Sequence, residues 1–217
     1  MERDRPGARA PGREGGGPPN RSATSGAPAG GSALARRLLG LLGWRSEVLF
    51  PPGPSCVLVF YPHTSNWDFV YGYLARLASG LPVQWIGKDT LFRGPFDRLF
   101  RRMGGIPVDR SAPGGFVEAL AEQFSKGERR WLVIAPEGTR KKTDHWKSGF
   151  YRLAVAVGAP VGLAFIDYRR RRVGVTAYLE LSGDEEEDLR RIRAFYEDKE
   201  GRYPEQASAI RFRRGSS

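Results

Sequence analysis

His63 and Asp68 are a pair of residues whose types and spacing suit acid–base chemistry. They lie in residues 61–69, YPHTSNWDF, directly after the apolar run 56–60. We therefore expect them at the carboxyl end of a strand, where open α/β sheets place their reactive groups. A carboxylate that holds one ring nitrogen of a histidine leaves the other nitrogen free to accept a proton from a substrate hydroxyl. In this interpretation the substrate itself is the nucleophile.

The same residues also have the spacing of a helix cap. Ser65 followed three positions later by Asp68 predicts a capping box that opens a helix over residues 69–78. A histidine and an aspartate with four residues between them form a weak pattern by themselves. On the residues of this segment alone, the catalytic and the capping interpretation both stand.

Composition narrows the class of protein. The chain has 217 residues and a single cysteine, which suits one sizeable domain and excludes a disulfide framework. Cys56 lies inside an apolar run, so we interpret it as a buried core residue in a reducing compartment and not as a nucleophile. No stretch approaches the roughly 18 consecutive apolar residues of a membrane-spanning helix, and the N-terminus lacks the apolar centre of a signal peptide.

The strong positive charge predicts an anionic partner. The formal net charge is +11 and the isoelectric point is about 10.2. Nucleic acid, anionic lipid and a phosphorylated substrate all fit this charge. The chain shows no helix-turn-helix, zinc-finger or ribonucleoprotein signature, so we expect no nucleic acid. Residues 34–44 are short, apolar, arginine-bearing and end in Trp44. They suit either an interfacial helix or a helix that packs across the domain.

The chain divides into three parts by composition. Residues 1–32 are rich in Gly, Pro, Arg, Ser and Ala and predict a disordered tail. Residues 33–47 form a short amphipathic, candidate membrane-docking segment, and residues 48–217 form the folded domain. Strands alternate with helices in this domain, which predicts a three-layer α/β fold. The central sheet is expected to be mixed and largely parallel, because a hairpin-length turn joins the last two strands, 160–166 and 173–181.

Charged and polar residues follow several of the predicted strands. If the sheet is mostly parallel, their side chains converge at one edge and surround His63 with cationic donors, which suit a phosphate-bearing substrate. An alcohol beside such a phosphate, deprotonated by His63, is a ready acyl acceptor. A solvated lysine is the alternative for Lys88. The candidate residues are Lys88, Arg110, Glu137, Arg140 and Lys147.

Four ordered blocks resemble those of the glycerolipid acyltransferases. The blocks are residues 63–68 (HTSNWD), 105–110 (GIPVDR), 136–140 (PEGTR) and 159–161 (APV). The 1-acylglycerol-3-phosphate (lysophosphatidic acid) acyltransferase family is the best match to this pattern. The first block lacks the more common leading asparagine, and the fourth keeps only its proline-centred apolar character.

The resemblance implies a glycerolipid-acyltransferase-like fold and a set of residue roles. His63 would be the general base and Asp68 would orient and charge it. The acceptor hydroxyl would then attack the thioester directly, without an acyl-enzyme. No metal and no cofactor is implied beyond acyl-CoA or acyl-carrier protein as co-substrate. The implied substrate-binding residues are Lys88, Arg110, Glu137, Gly138, Thr139, Arg140 and Lys147.

The sequence therefore predicts an O-acyltransferase of phospholipid biosynthesis. Its expected partners are an acyl thioester donor, which includes acyl-carrier protein, a lyso-lipid acceptor and an anionic membrane surface. Its expected location is cytoplasmic and peripheral on the inner face of the cell membrane. Two alternatives stay open: an acyltransferase with a non-phosphate or other lipid-linked acceptor, and a catalytically idle basic module that binds membranes or nucleic acid.

Overall fold

The computed structural model describes residues 30–108, 115–125 and 130–213. The prediction of a disordered tail over residues 1–32 falls almost wholly outside them. Its last described residue, Ser32, caps the first helix. The helices are α1 (Ala33–Leu41), α2 (Asn66–Ser79), α3 (Asp97–Arg102), α4 (Gly115–Ser125), α5 (Gly149–Val157) and α6 (Glu185–Tyr196). The strands are β1 (Arg45–Val48), β2 (Ser55–Tyr61), β3 (Gln84–Lys88), β4 (Gly105–Val108), β5 (Arg130–Ile134), β6 (Val161–Asp167) and β7 (Arg172–Leu179).

The described strands form one sheet in the order β1-β7-β6-β2-β5-β3-β4. The five strands from β6 to β4 in this order run parallel to one another. β7 runs antiparallel to β6, and β1 runs parallel to β7. The predicted mixed, largely parallel sheet is thus confirmed. The carboxyl ends of β2, β3, β4, β5 and β6 all lie at one edge, which we call the carboxyl edge.

Helices cover both faces of the sheet, so the predicted three layers are confirmed. Val57 and Val59 of β2 pack into the core cluster that contains residues of α4, α5 and α6. Cys56 and Leu58 of the same strand pack on the opposite face, the face on which α1 and α2 lie. A central strand buried on both sides reads as the continuous apolar run seen in the sequence.

The capping signal at Ser65 defines the start of α2. The Ser65 side chain accepts the backbone N–H of Trp67 at 3.2 Å, and Asp68 completes the capping box. The helix therefore begins at Asn66, three residues before the predicted start. It ends at Ser79, and the following Gly80 has a left-handed φ of 74°, which suits glycine at a helix C-terminus.

The predicted amphipathic segment, residues 33–47, forms α1 over its first nine residues and packs on the domain, whereas its residues 45–47 belong to strand β1 of the sheet. Ala35 and Leu39 are buried, and so is Trp44 just after the helix. On the other side of the helix, Leu34 and Leu41 are exposed. One face of α1 therefore packs across the domain, as one of the two interpretations predicts, and the other face presents an exposed row of leucines. Among the described residues, no helix is both long and apolar enough to cross a membrane.

Candidate active site

Asp68 is a fully buried carboxylate at the start of α2, with a relative exposure of 0%. Its Oδ2 accepts the backbone N–H groups of Thr64 at 2.7 Å and Ser65 at 2.8 Å. The same oxygen lies 3.2 Å from Nδ1 of His63. Because Asp68 offers an acceptor, we assign the proton to Nδ1, which leaves Nε2 with a free lone pair. Asp68 thus completes the cap of α2 and also contacts His63, so the two interpretations of this segment do not exclude each other.

The other oxygen of Asp68 is bound by a residue that the sequence analysis missed. The hydroxyl of Tyr168 donates to Oδ1 at 2.7 Å. Burial, with the hydrogen bond and charge of Asp68, raises the pKa of Tyr168, so the hydroxyl keeps its proton and acts as a donor. Tyr168 directly follows β6, and its place just beyond a strand was a signal that could have identified it.

Glu137 supports the loop that carries His63. Its Oε2 accepts the backbone N–H of His63 at 2.7 Å, and its Oε1 accepts that of Ser208 at 2.9 Å. Burial raises the pKa of Glu137, and the hydrogen bonds from Ser208 and His63 act in the opposite direction. The residue is 1% exposed and does not line the cleft described below. The carboxylate of Glu137 therefore fixes the backbone at His63 and Ser208.

The C-terminal segment, residues 201–213, closes over this loop. Tyr203 donates its backbone N–H to Oγ1 of Thr64 at 3.2 Å. Tyr61 donates its hydroxyl to the carbonyl of Ser208 at 3.1 Å. These contacts join positions about 140 residues apart in the chain and leave no periodic pattern in the sequence, so sequence reasoning had no signal for them.

A cleft of about 1070 Å³ opens beside His63, between α2 and the sheet. Away from the loop of His63 and the start of α2, its buried wall is apolar and includes Leu58, Ala164 and Val175. Its exposed residues include Lys88 and Arg140. The cleft thus joins an apolar interior to a basic entrance. It brings together six of the residues predicted for the site: His63, Asp68, Lys88, Gly138, Thr139 and Arg140.

The remaining predicted residues lie elsewhere or are not described. Lys147 is exposed and does not line the cleft. Its side chain packs against Gly138, where an added Cβ would lie 3.0 Å from Cε of Lys147. Gly138 also has a φ of 67°, so the turn after β5 favours glycine there. Arg110 lies outside the described residues.

Residues 30–108, 115–125 and 130–213 contain no group of three or more His, Cys, Asp or Glu side chains placed to hold a metal ion. The prediction that no metal is needed concerns the reaction, and it stays a prediction.

A family model described as Acyltransferase matches residues 48–162, just over half of the chain. This chain belongs to the acyltransferase family. The predicted enzyme class is thereby confirmed. The acyltransferase is also similar in structure to the 1-acyl-sn-glycerophosphate (LPA) acyltransferase PlsC from Thermotoga maritima, with a TM-score of 0.52 and 18% sequence identity. The similarity covers 75% of this chain and 74% of PlsC, and at this identity it shows a shared fold.

No curated protein matches the acyltransferase sequence. Within the chain, His63, Asp68 and Glu137 lie inside the segment matched by the family model. Tyr168 and Ser208, which hold these residues in place, lie beyond its end at residue 162.

Proposed function

We propose that this acyltransferase moves a fatty acyl group from acyl-CoA or acyl-carrier protein to the hydroxyl of lysophosphatidic acid or a similar lyso-lipid. One observation carries the proposal: the buried Asp68 holds His63 beside a cleft with an apolar interior and a basic entrance. Acyl transfer to a lyso-phospholipid needs a base, an apolar site and an anion site next to one another.

His63 would serve as the general base. Nε2 takes the proton of the acceptor hydroxyl while the oxygen forms a bond to the thioester carbonyl carbon. The tetrahedral intermediate then collapses and the C–S bond breaks. Nε2 passes its proton to the departing thiolate. Asp68 stabilises the imidazolium that exists between the two proton transfers. The products are an ester and a thiol, and neither a metal nor a redox cofactor takes part.

The basic entrance suits the phosphate of the acceptor. Lys88 is the last residue of β3 and Arg140 lies in the loop after β5, so both stand at the carboxyl edge with His63. Both side chains are exposed and line the cleft. Arginine binds a phosphate through its planar fork and lysine as a point charge. We propose that these two cations hold the phosphate, with Gly138, Thr139 and Arg110 of the neighbouring blocks completing the acceptor site.

The interior of the cleft suits the acyl chain. Leu58 and Ala164 from the sheet face Phe69 and Tyr73 of α2 across it. A volume of about 1070 Å³ is slightly larger than that of most ligand pockets, which span about 300–1,000 Å³. This space accommodates a long apolar chain together with its thioester.

We further propose that the enzyme works as a peripheral protein on the inner, cytoplasmic face of the cell membrane. The exposed leucines of α1 and the residue after it carry this proposal: Leu34, Leu38, Leu41 and Leu42. A helix with one packed face and one exposed leucine row, in a chain of net charge +11, suits an anionic lipid surface.

Sedimentation with anionic vesicles at low salt tests the membrane proposal. We expect the wild-type protein in the pellet and Leu41→Asp largely in the supernatant, because Leu41 is 84% exposed and its replacement disturbs no core. Leu99→Asp changes another exposed leucine, on α3 and 50% exposed, and as the control it should sediment like wild type. A wild-type protein that stays wholly in the supernatant would contradict the proposal.

Release of thiol tests the reaction. The purified protein is supplied with palmitoyl-CoA, or with palmitoyl-carrier protein in a second arm, with and without 1-acylglycerol-3-phosphate. We expect acceptor-dependent release that falls about 10²–10⁴-fold in His63→Ala, as expected for loss of a positioned general base. His145→Ala removes the only other histidine, which does not line the cleft, and should be as active as wild type.

Two results of this assay would revise the proposal. No acceptor-dependent release from either donor would contradict lysophosphatidic acid as the acceptor. Equal release with a lyso-lipid that lacks phosphate would show that the basic entrance does not select a phosphate.

A further inference from the structure

We infer that Tyr168 is a positioning residue of the active site: its hydroxyl fixes the buried carboxylate of Asp68 and, through it, the ring of His63. The inference rests on the proposed role of His63 as the base. It adds a residue that lies outside the segment matched by the family model.

The two oxygens of Asp68 have different tasks. Oδ2 faces the ring of His63 and two backbone N–H groups, whereas Oδ1 accepts the hydroxyl of Tyr168. A carboxylate turns about the bond between Cβ and Cγ, a soft torsion with no sharp minimum. A donor on each oxygen removes that freedom. Without the hydroxyl, Oδ1 would be a buried acceptor that has lost its donor, and Oδ2 could turn away from His63.

Tyr168 is itself held by three contacts, two to its ring and one to its backbone. Its edge-on contact with Trp44 has a centroid distance of 4.9 Å, and a similar contact with Tyr71 of α2 has 6.1 Å. Its backbone N–H donates to the carbonyl of Glu200 at 2.9 Å. The hydroxyl therefore reaches Asp68 from a packed position and loses little conformational entropy on doing so. This is the condition for a group that orients another one.

A second tyrosine–aspartate contact in the same chain supplies the comparison that separates positioning from stability. The hydroxyl of Tyr151 donates to Oδ2 of Asp188 at 3.0 Å. Asp188 is also 0% exposed, but the carboxylate faces no histidine and lines no part of the cleft. Removal of either tyrosine hydroxyl should lower the stability of the fold by a similar amount. Only its removal at Tyr168 should also lower kcat.

Steady-state kinetics of Tyr168→Phe and Tyr151→Phe make the first test. Phenylalanine keeps the ring and removes only the hydroxyl. We expect kcat to fall roughly tenfold in Tyr168→Phe, the lower end for a lost hydrogen bond to a charged group. KM for donor and acceptor should stay within about twofold, because the effect lies in orientation and not in binding. Tyr151→Phe should keep wild-type kcat and KM, with a similar decrease in Tm.

A spectroscopic test needs no substrate. The chain contains two histidines, so a protein labelled with ¹⁵N-histidine gives two sets of ring signals, those of His63 and His145. In Tyr168→Phe we expect the Nδ1–H and ring signals of His63 to move and those of His145 to stay. Tyr151→Phe should move neither set.

The outcomes separate this inference from the proposed function. Unmoved His63 signals in Tyr168→Phe, or a kcat equal to that of Tyr151→Phe, would overturn the inference. Shifted His63 signals in a protein that transfers no acyl group to any lyso-lipid would support the placement of Tyr168 and contradict the proposed reaction.

Discussion

Asp68 and Asp188 are two fully buried carboxylates in the first turns of α2 and α6, and their immediate surroundings are nearly the same. Each accepts two backbone N–H groups from the residues before its helix, Thr64 and Ser65 in one case and Ser182 and Gly183 in the other. Each also accepts one tyrosine hydroxyl. This arrangement caps a helix and satisfies a buried charge wherever it occurs.

The two carboxylates differ in the charged group that they face. Asp188 lies 3.5 Å from the guanidinium of Arg191, which is charged at every working pH. Asp68 faces His63 at 3.2 Å, the residue that we propose takes up and releases a proton during the reaction. They also differ in place, because α6 follows β7, whose carboxyl end pairs with the start of β6, away from the carboxyl edge. In the proposed reaction, Asp68 differs from Asp188 in its histidine partner and in its position at the cleft.

Replacement of each aspartate by asparagine should give the largest difference in activity between the two carboxylates. We expect Asp68→Asn to lower kcat about 10²–10⁴-fold, because the neutral amide no longer stabilises the imidazolium of His63. Asp188→Asn should keep wild-type kcat and lower the free energy of unfolding by about 1–3 kcal/mol, since Arg191 loses its charged partner. Steady-state kinetics and denaturant unfolding of both variants make the measurement. Similar loss of activity in the two variants would mean that Asp68 acts only through stability.

Replacement of an arginine at the cleft should give an intermediate effect, and replacement of an arginine on α6 should give none. Arg140 lines the cleft, whereas the exposed Arg190 pairs with Glu187 on α6. Arg140→Ala should raise KM for 1-acylglycerol-3-phosphate about tenfold through loss of a charge-assisted hydrogen bond to phosphate. Arg190→Ala should leave KM unchanged. An unchanged KM in Arg140→Ala would place the phosphate elsewhere in the cleft.

The two helix caps should give the smallest effects. The Ser65 side chain caps α2 and the Asp184 side chain caps α6. Ser65→Ala and Asp184→Ala should each lower the free energy of unfolding by about 1 kcal/mol. Because Asp68 keeps its own contacts, we expect only a small decrease of kcat in Ser65→Ala and none in Asp184→Ala. A loss of activity in Ser65→Ala as large as that in Asp68→Asn would show that the cap, and not the carboxylate, positions His63.

The features that the sequence predicts well are set by neighbouring residues. The run 56–60 predicts β2 because a central strand is apolar on both faces. The spacing of Ser65 and Asp68 predicts the cap of α2 because the cap is made within one turn. The approach of Lys88 and Arg140 to His63 follows from a rule of topology instead: parallel strands end at the same edge of the sheet. Both residues line the cleft, as expected.

The features that the sequence does not predict are set by distant residues. Glu137 was expected at the substrate, yet its oxygens accept backbone N–H groups of His63 and Ser208. Tyr168 meets Asp68 across 100 positions of the chain. Nothing in a local pattern states which buried donor will meet which buried acceptor, because that depends on how the completed layers pack.

The C-terminal segment has a consequence for the order in which the molecule is built. During synthesis the last strand of the sheet is complete at Leu179. Tyr203 and Ser208, which hold Thr64 and Glu137, follow later. A nascent chain can therefore assemble its sheet while the loop of His63 is still open on one side. We therefore expect the sheet to be complete before the active site is, and acyl transfer to begin only once residues 201–213 have packed against the loop of His63.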